Sequence, residues 1–274
     1  MVNTIIRDSK RRWPIVAAAA AALLALSGCA VGAGGSSSDS PGADKYDTIE
    51  SGKLTFAMSG EYRPFNYYDE DSNLVGFDVE IANEIADRMG LEPNPVTGPF
   101  NTLLAGLAGG RYDTVIGSMS VTPEREQQAD FSQKYYSAGA QLFVEEGSSI
   151  TSIEDLRDAN VGVALGTTFE DYANDQSNVD KVTTYQADIQ AMREVESGRL
   201  DAAIASKPMG LYQIKEAGLD VEPVGDVLFP DVAAIPVAKG NTELLDGINE
   251  ALSEIKADGT YLEISKKWFG RDIG

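Results

Sequence analysis

Three hydroxyls and a guanidinium stand within eight residues in the run Ser118-Met119-Ser120-Val121-Thr122-Pro123-Glu124-Arg125. Arginine presents a planar fork of N–H donors that matches a carboxylate bidentately, which a lysine cannot do, and the serine hydroxyls add further donors. The segment therefore has the chemistry to hold an anion. It continues from the phrase Gly110-Arg111-Tyr112-Asp113-Thr114-Val115-Ile116-Gly117-Ser118, which has an echo 88 positions later in Gly198-Arg199-Leu200-Asp201-Ala202-Ala203-Ile204-Ala205-Ser206. Each phrase reads as a turn and a short apolar strand that ends on a serine, so the chain looks like two similar lobes. Open parallel sheets bind ligands outside the carboxyl ends of their strands. A cleft lined by Ser118 to Ser120 on one side and Ser206 on the other follows.

The rest of the composition narrows the chemistry. With no histidine and a single cysteine, Cys29, Ser-His-Asp and Cys-His catalysis, zinc centres and disulfides are excluded, and catalysis would have to rest on carboxylates, lysine or tyrosine. No cofactor and no metal are expected. Asp69-Glu70-Asp71-Ser72-Asn73 with Glu80 superficially fits a calcium loop, but Leu74 stands where such a loop needs glycine, which favours a polar turn between strands. The net charge of −21 repels nucleic acid and anionic lipid surfaces. It reads as a solubility feature or an adaptation to salt and does not imply a cationic ligand.

The first 28 residues have the anatomy of an export signal. Arg7, Lys10, Arg11 and Arg12 form a basic start, and Ile15 to Leu26 is an apolar run that would span only ~18 Å as a helix, short of the ~30 Å hydrocarbon core. The run closes with Leu26-Ser27-Gly28-Cys29. Removing residues 1–28 makes the remainder three charges more negative. Arg11-Arg12 hints at a twin-arginine route, but the surrounding residues fit that pattern poorly and general secretion is favoured. From Cys29 to about residue 47 the chain is small and polar, the composition of a tether, with a reach of ~20–25 Å.

The elements that must position the anion-holding residues follow from periodicity. Leu54 to Met58 is an apolar strand, and Asp78 to Met89 puts Val79, Ile81, Ala82, Ile85, Ala86 and Met89 on one helical face with Gly90 as its C-terminal stop. A helix over Asn101 to Ala108 precedes the strand Thr114 to Gly117. A similar alternation restarts at Val161 to Leu165, continues through a helix around Ile189 to Val195 and the strand Ala202 to Ala205, and enters a helix from Pro208. Two helices, Thr242 to Ala257 and Tyr261 to Trp268, close the chain. This rhythm predicts α/β lobes with mostly parallel sheets.

Six segments fall in one family's order: Gly60-Glu61-Tyr62-Arg63-Pro64-Phe65, Gly76-Phe77-Asp78-Val79-Glu80, Ser118 to Arg125, Phe131-Ser132-Gln133-Lys134-Tyr135-Tyr136, Gly166-Thr167-Thr168 and Lys267-Trp268-Phe269-Gly270. Over Lys53 to Gly270 the chain resembles the family 3 extracellular solute-binding proteins, the polar amino-acid class that feeds ABC importers. The resemblance implies a two-lobed periplasmic-binding fold of type II, with residues 48–142 and 234–274 in one lobe, 143–233 in the other, and crossovers near Phe143 to Glu146 and Phe229 to Ala233. It implies a monomer that is not an enzyme, binds an amino-acid-like solute and presents it to a membrane permease. The Leu26 to Cys29 segment resembles a lipobox, which implies lipidation at Cys29, with palmitate among the acyl chains, and anchoring at the outer face of the cell membrane.

The same resemblance implies site residues. Arg125 would grip the ligand carboxylate, with Ser118, Met119 and Ser120 forming the turn that receives carboxylate and ammonium. Thr167 and Thr168 would meet the carboxylate at a helix N-terminus. Tyr62 and Phe100 would sandwich the side chain. Each has a plainer reading: a surface arginine, structural turn hydroxyls, a helix cap, core aromatics. At Ser206 the sequence departs from the family, which usually carries an aspartate there for the ligand ammonium. A charge-assisted bond is worth ~1.5–3 kcal/mol against ~1 for a neutral one, so either another acid compensates, with Glu61 and Glu170 as candidates, or the ligand lacks a free ammonium. Lys207 beside it would favour a second anionic group unless it points to solvent. Two other roles stay open on the same fold: a ligand sensor that partners a membrane receptor, and a dehydratase-like enzyme using a carboxylate as acid or base.

Overall fold

A computed structural model of the chain describes residues 45–274. Cys29, the apolar run before it and the tether up to residue 44 lie outside the described residues.

The first part of the chain forms β1 (Lys53–Met58), β2 (Glu61–Tyr62), β3 (Asn66–Tyr68), β4 (Leu74–Val75), α1 (Phe77–Arg88), β5 (Glu92–Thr97), α2 (Phe100–Ala108), β6 (Thr114–Val115), α3 (Pro123–Glu126) and β7 (Ala129–Phe131). Helix α1 forms where expected because Val79, Ile81, Ala82, Ile85 and Ala86 make one buried stripe. Only glycine can open it: Gly76 has φ 135°, and a Cβ there would lie 2.2 Å from the Phe65 carbonyl oxygen. The segment 69–73 is a polar turn between β3 and β4, closed by Asp69 accepting from the backbone N–H groups of Asp71 and Asn73.

The second part forms β8 (Tyr136–Glu145), β9 (Ala159–Ala164), α4 (Thr168–Asn174), β10 (Val179–Tyr185), α5 (Asp188–Glu196), β11 (Ala202–Ser206), α6 (Lys207–Ala217) and β12 (Val221–Val224). The chain then returns through β13 (Pro230–Ala233) and β14 (Pro236–Ala238) to α7 (Thr242–Ala257) and α8 (Thr260–Phe269). Tyr46 packs its ring against the bare Cα of Gly247 in α7, where a Cβ would come within 2.6 Å of the ring.

One sheet has the strand order β5-β1-β6-β14-β7 and the other β10-β9-β11-β8-β12, with β13 also on β8. In each, the first three strands are a parallel ladder: Ala57 pairs with Val115 across β1 and β6, and Ala203 with Gly162 across β11 and β9. The remaining strands extend the ladders antiparallel, so the sheets are mixed. The two repeated phrases fold alike. Gly110 and Gly198 take φ 67° and 70°, and the aspartate three residues on clamps the neighbouring strand, Asp113 accepting from Thr55 N–H and Asp201 from Asn160 N–H.

Between the sheets the chain passes twice, before β8 and after β13. Tyr136–Gly139 of β8 pairs antiparallel with Pro230–Ala233, so the two passages form one ribbon. The crossover expected at Phe143 to Glu146 falls elsewhere: Phe143 lies inside β8, fully buried and paired with Ala203 and Pro223. Strand β8 runs unbroken through ten residues, leaving no loop at residue 143 to bend. The passage expected near Phe229 to Ala233 coincides with β13.

The core beneath the first sheet is aromatic. Phe65, Phe77, Tyr135 and Tyr136 are fully buried, with Phe65 stacked on Tyr136 at 5.1 Å and Phe77 edge-on to Phe65 at 5.9 Å. Burying each phenylalanine is worth about 1.5–3 kcal/mol. Tyr62 extends the stack from Phe65, at 4.9 Å, toward the space between the sheets.

Candidate functional site

The turn Ser118 to Ser120 that follows β6, the helices that begin at Phe100, Thr168 and Asp188, and the returning strand β13 line one narrow cavity of about 40 Å³. Six expected site residues line it: Tyr62, Phe100, Ser118, Ser120, Thr167 and Thr168.

Geometry separates the residues that can offer a group to a ligand from those already engaged. Ser118 sits in the left-handed region at φ 58°, and its hydroxyl donates to Asp78 Oδ2 at 2.8 Å. Asp78 also accepts from Asn66 Nδ2 at 2.7 Å and from the Tyr135 hydroxyl at 2.9 Å, and Tyr135 in turn accepts from Ser118 N–H at 2.7 Å. The Ser118 hydroxyl therefore fixes the turn rather than facing the cavity as a free donor. Burial lifts the Asp78 carboxyl to about 7 against the pull of these three donors. Thr167 is likewise occupied, capping α4 by accepting from Glu170 N–H and donating to the Ala164 carbonyl at 2.6 Å. The Thr168 hydroxyl is buried on the cavity wall, beside the Asp231 carboxyl.

Arg125 is half-buried at the edge of the cavity and joins its two walls. Nη1 donates to the Ser120 carbonyl at 2.7 Å and Nη2 to the Gly166 carbonyl at 2.9 Å, while the guanidinium carbon stands 5.7 Å from the Phe100 ring centre. The walls meet closely there, since a Cβ on Gly166 would lie 2.8 Å from Asn101 Cβ. Burial draws the guanidinium below its ordinary value, opposed by the charge of Asp231.

Three expected residues are not among those that line the cavity: Arg125, which lies beside it, Met119 and Ser206. Met119 packs into the apolar cluster of Ala57, Leu103, Leu107 and Val115, because alternate residues past a strand end face opposite ways. Ser206 is 1 % exposed and lies beside the Tyr62 phenol. Lys207 lines a separate surface groove with Tyr212 and Trp268. Of the two candidate compensating acids, Glu170 is tied to Gly166 N–H at 2.6 Å, and Glu61 is exposed at the cavity rim.

Two carboxylates that the sequence reading passed over line the cavity instead. Asp188, the first residue of α5, is 5 % exposed, and Asp231 in β13 is 6 % exposed. Burial pushes the Asp188 carboxyl up to about 7, with the nearby charge of Asp231 adding to the rise and its own backbone N–H opposing it. Asp231 is also raised by burial, against the pull of the Ser120 hydroxyl, Arg125 and the Thr168 hydroxyl. A signal for Asp188 existed: it follows Phe100 by the same 88 residues that separate Ser118 from Ser206, and Phe100 and Asp188 each open a helix. Asp231 carries no such mark, because its place depends on β13 pairing with β8.

A cation edge, hydroxyls, an aromatic pair and buried carboxylates around one small cavity suit a dipolar ligand. Residues 54–271 match the bacterial extracellular solute-binding proteins, family 3. The L-cystine-binding protein TcyJ of Escherichia coli is 32 % identical over 226 residues, covering 82 % of this chain and 85 % of that protein. Among solved structures, an ancestral arginine-binding protein bound to glutamine superposes with a TM-score of 0.76 at 38 % identity, covering 80 % of this chain and 99 % of the other. An ancestral amino acid-binding protein that is a precursor of cyclohexadienyl dehydratase superposes at 0.74 with 33 % identity, covering 80 % and 96 %. These neighbours are type II periplasmic amino-acid-binding proteins, and this chain shares their fold. On the match of the family along nearly all of its described length, this chain belongs to the bacterial extracellular solute-binding proteins, family 3.

Proposed function

We propose that the protein is the lipid-anchored, extracytoplasmic binding component of an ABC importer that captures an amino acid and delivers it to a membrane permease. The observation that carries this is Arg125, whose guanidinium bridges the Ser120 and Gly166 carbonyls and lies 5.7 Å from the ring of Phe100, which lines the cavity with Ser120 and Thr168. A ligand carboxylate placed there meets a cation and two hydroxyls, with Tyr62 and Phe100 left to contact its side chain. Arg125 bonds to both walls, which suits capture by closure of one lobe onto the other. Bending would occur in the ribbon of Tyr136–Gly139 and Pro230–Ala233, placing the lobe boundary several residues before 142/143. Cys29, at the end of the export signal, would carry the lipid, two chains being needed for stable attachment.

A thermal-shift screen against L-amino acids tests the ligand class. Binding at a hundredfold excess over Kd adds ~2.7 kcal/mol, a rise of ~5–10 °C for a domain of this size; no rise with any amino acid overturns the reading. Acyl-chain labelling of the wild type and of Cys29→Ala tests the anchor. The paired buried carboxylates give a second reading some support, since a carboxyl lifted to about 7 is suited to proton transfer. Turnover of a cyclic carboxylic acid by the purified protein would favour that enzyme-like role; amino-acid binding without turnover favours transport.

A further inference from the structure

The family position that would neutralise a ligand ammonium, at the end of β11, is here Ser206, and its side chain lies beside Tyr62 rather than on the cavity wall. The cavity is nonetheless not short of acid. Asp188 lines it from the start of α5, and one of its carboxylate oxygens, Oδ1, is buried without a hydrogen-bond partner. Among the described residues, no lysine, arginine or side-chain donor bonds it. An ionised carboxylate buried without a partner is costly, so this group is poised to gain more from a cation entering the cavity than any other oxygen there. Asp231 is placed differently, since Arg125 and the hydroxyls of Ser120 and Thr168 already stand around it. Asp188 is thus the carboxyl with no cation or hydroxyl beside it.

We propose that Asp188 receives the ligand's ammonium, so that the acidic subsite has moved from the end of β11 to the first turn of α5, and that the solute is an α-amino acid with a free ammonium rather than an N-acylated acid or a dicarboxylate. The proposal rests on the amino-acid-binding reading above and resolves the question that Ser206 raised. Its geometry is a dipole laid across the cavity: carboxylate toward Arg125, Ser120 and Thr168, ammonium toward Asp188, side chain toward Tyr62 and Phe100. The asymmetry is a single exchange at equivalent points, because the residue that opens α2 on the facing wall is Phe100 and the one that opens α5 is Asp188.

Calorimetry with L-arginine, L-glutamine and L-cystine, each beside its N-acetyl form, tests it on the purified protein. The wild type should bind at least one free amino acid tenfold or more tightly than the acetylated form. Asp188→Asn should weaken that amino acid ten- to hundredfold and leave the acetylated form within about threefold, while Ser206→Ala changes neither. Asp188→Ala, which cannot form a substitute hydrogen bond, should lose at least as much. Unchanged affinity in both Asp188 variants, or preference of the wild type for an acetylated form, overturns the assignment of Asp188 and leaves the solute-binding reading standing. Failure of the wild type to bind all six compounds overturns the amino-acid reading and this inference together.

Discussion

The stretch from β1 to β6 and the stretch from β9 to β11 are two executions of one plan. Each lays down a strand, a helix, an edge strand, a second helix and a returning strand that pairs in parallel with the first. Each turns into the last strand through a left-handed glycine and an aspartate that clamps the neighbouring strand. The chemistry at their ends is opposite. The first ends on a left-handed Ser118 locked to Asp78 and Tyr135, and leads to Arg125; its second helix opens on Phe100. The second ends on an extended Ser206 that passes straight into α6; its second helix opens on Asp188. A shared backbone fixes where side chains can reach the cleft, and residue identity at those places sets the sign of each wall.

The largest expected effect separates the two walls by pH. Asp78 on the first side and Asp188 on the second are both raised by burial to about 7. An acid raised in the folded state contributes stability that is fully present below its unfolded value near 4 and is lost as pH rises through 7, on the order of several kcal/mol for two such groups. The ligand-free protein should therefore unfold at a lower temperature at pH 8 than at pH 5. Asp188→Asn should shrink that gap and raise the pH 8 melting temperature, since Asp188 has no side-chain partner to lose. An unchanged gap would mean that Asp188 is paired in solution.

Next comes Arg125→Ala, which removes the cation of the first wall and its link to Gly166. Calorimetry should show amino-acid affinity falling roughly a hundredfold, ~2–3 kcal/mol for a charge-assisted interaction, with Arg125→Lys recovering only part because an ammonium cannot span two acceptors in a fixed plane. Unaltered affinity would sink the role given to the first wall.

The clamping aspartates give a smaller contrast. Asp113 is buried and accepts from both Ile49 and Thr55 N–H at 2.7 Å, whereas exposed Asp201 accepts from Asn160 N–H alone. Urea unfolding should show a loss of about 2–4 kcal/mol for Asp113→Ala and ~0.5 kcal/mol or less for Asp201→Ala, where water competes. Equal losses would show that the two turns are not graded by burial. Between those two falls Gly166→Ala: φ 77° and the closeness of Asn101 predict a roughly tenfold weaker affinity through impaired closure, about 1.4 kcal/mol.

Much of the frame was legible. The expected helix over Asp78 to Met89 and the observed α1 differ by one residue at each end, because a buried stripe at helical spacing and a left-handed Gly90 are local properties. The doubled phrase announced the doubled ladder for the same reason. The site was legible only in outline. Tyr62, Phe100, Ser120 and Thr168 reach the cavity, but Ser118 and Thr167 spend their hydroxyls on Asp78 and on the cap of α4. The bond from Ser118 to Asp78 joins residues forty apart, a partnership that spacing does not disclose. The crossover misplaced at residue 143 failed because nothing local says that β8 continues through two sets of partners.

Local pattern thus determined the α/β units, the paired turns and the residues that could hold an anion, since helix periodicity, turn glycines and the guanidinium fork act over a few neighbouring residues. Tertiary structure alone decided which polar groups remain unspent and which carboxylates are dry. Ionisation and hydrogen bonding depend on what packs around a group from distant strands, and it is this packing that withdraws Ser206 from the cleft and leaves Asp188 facing into it.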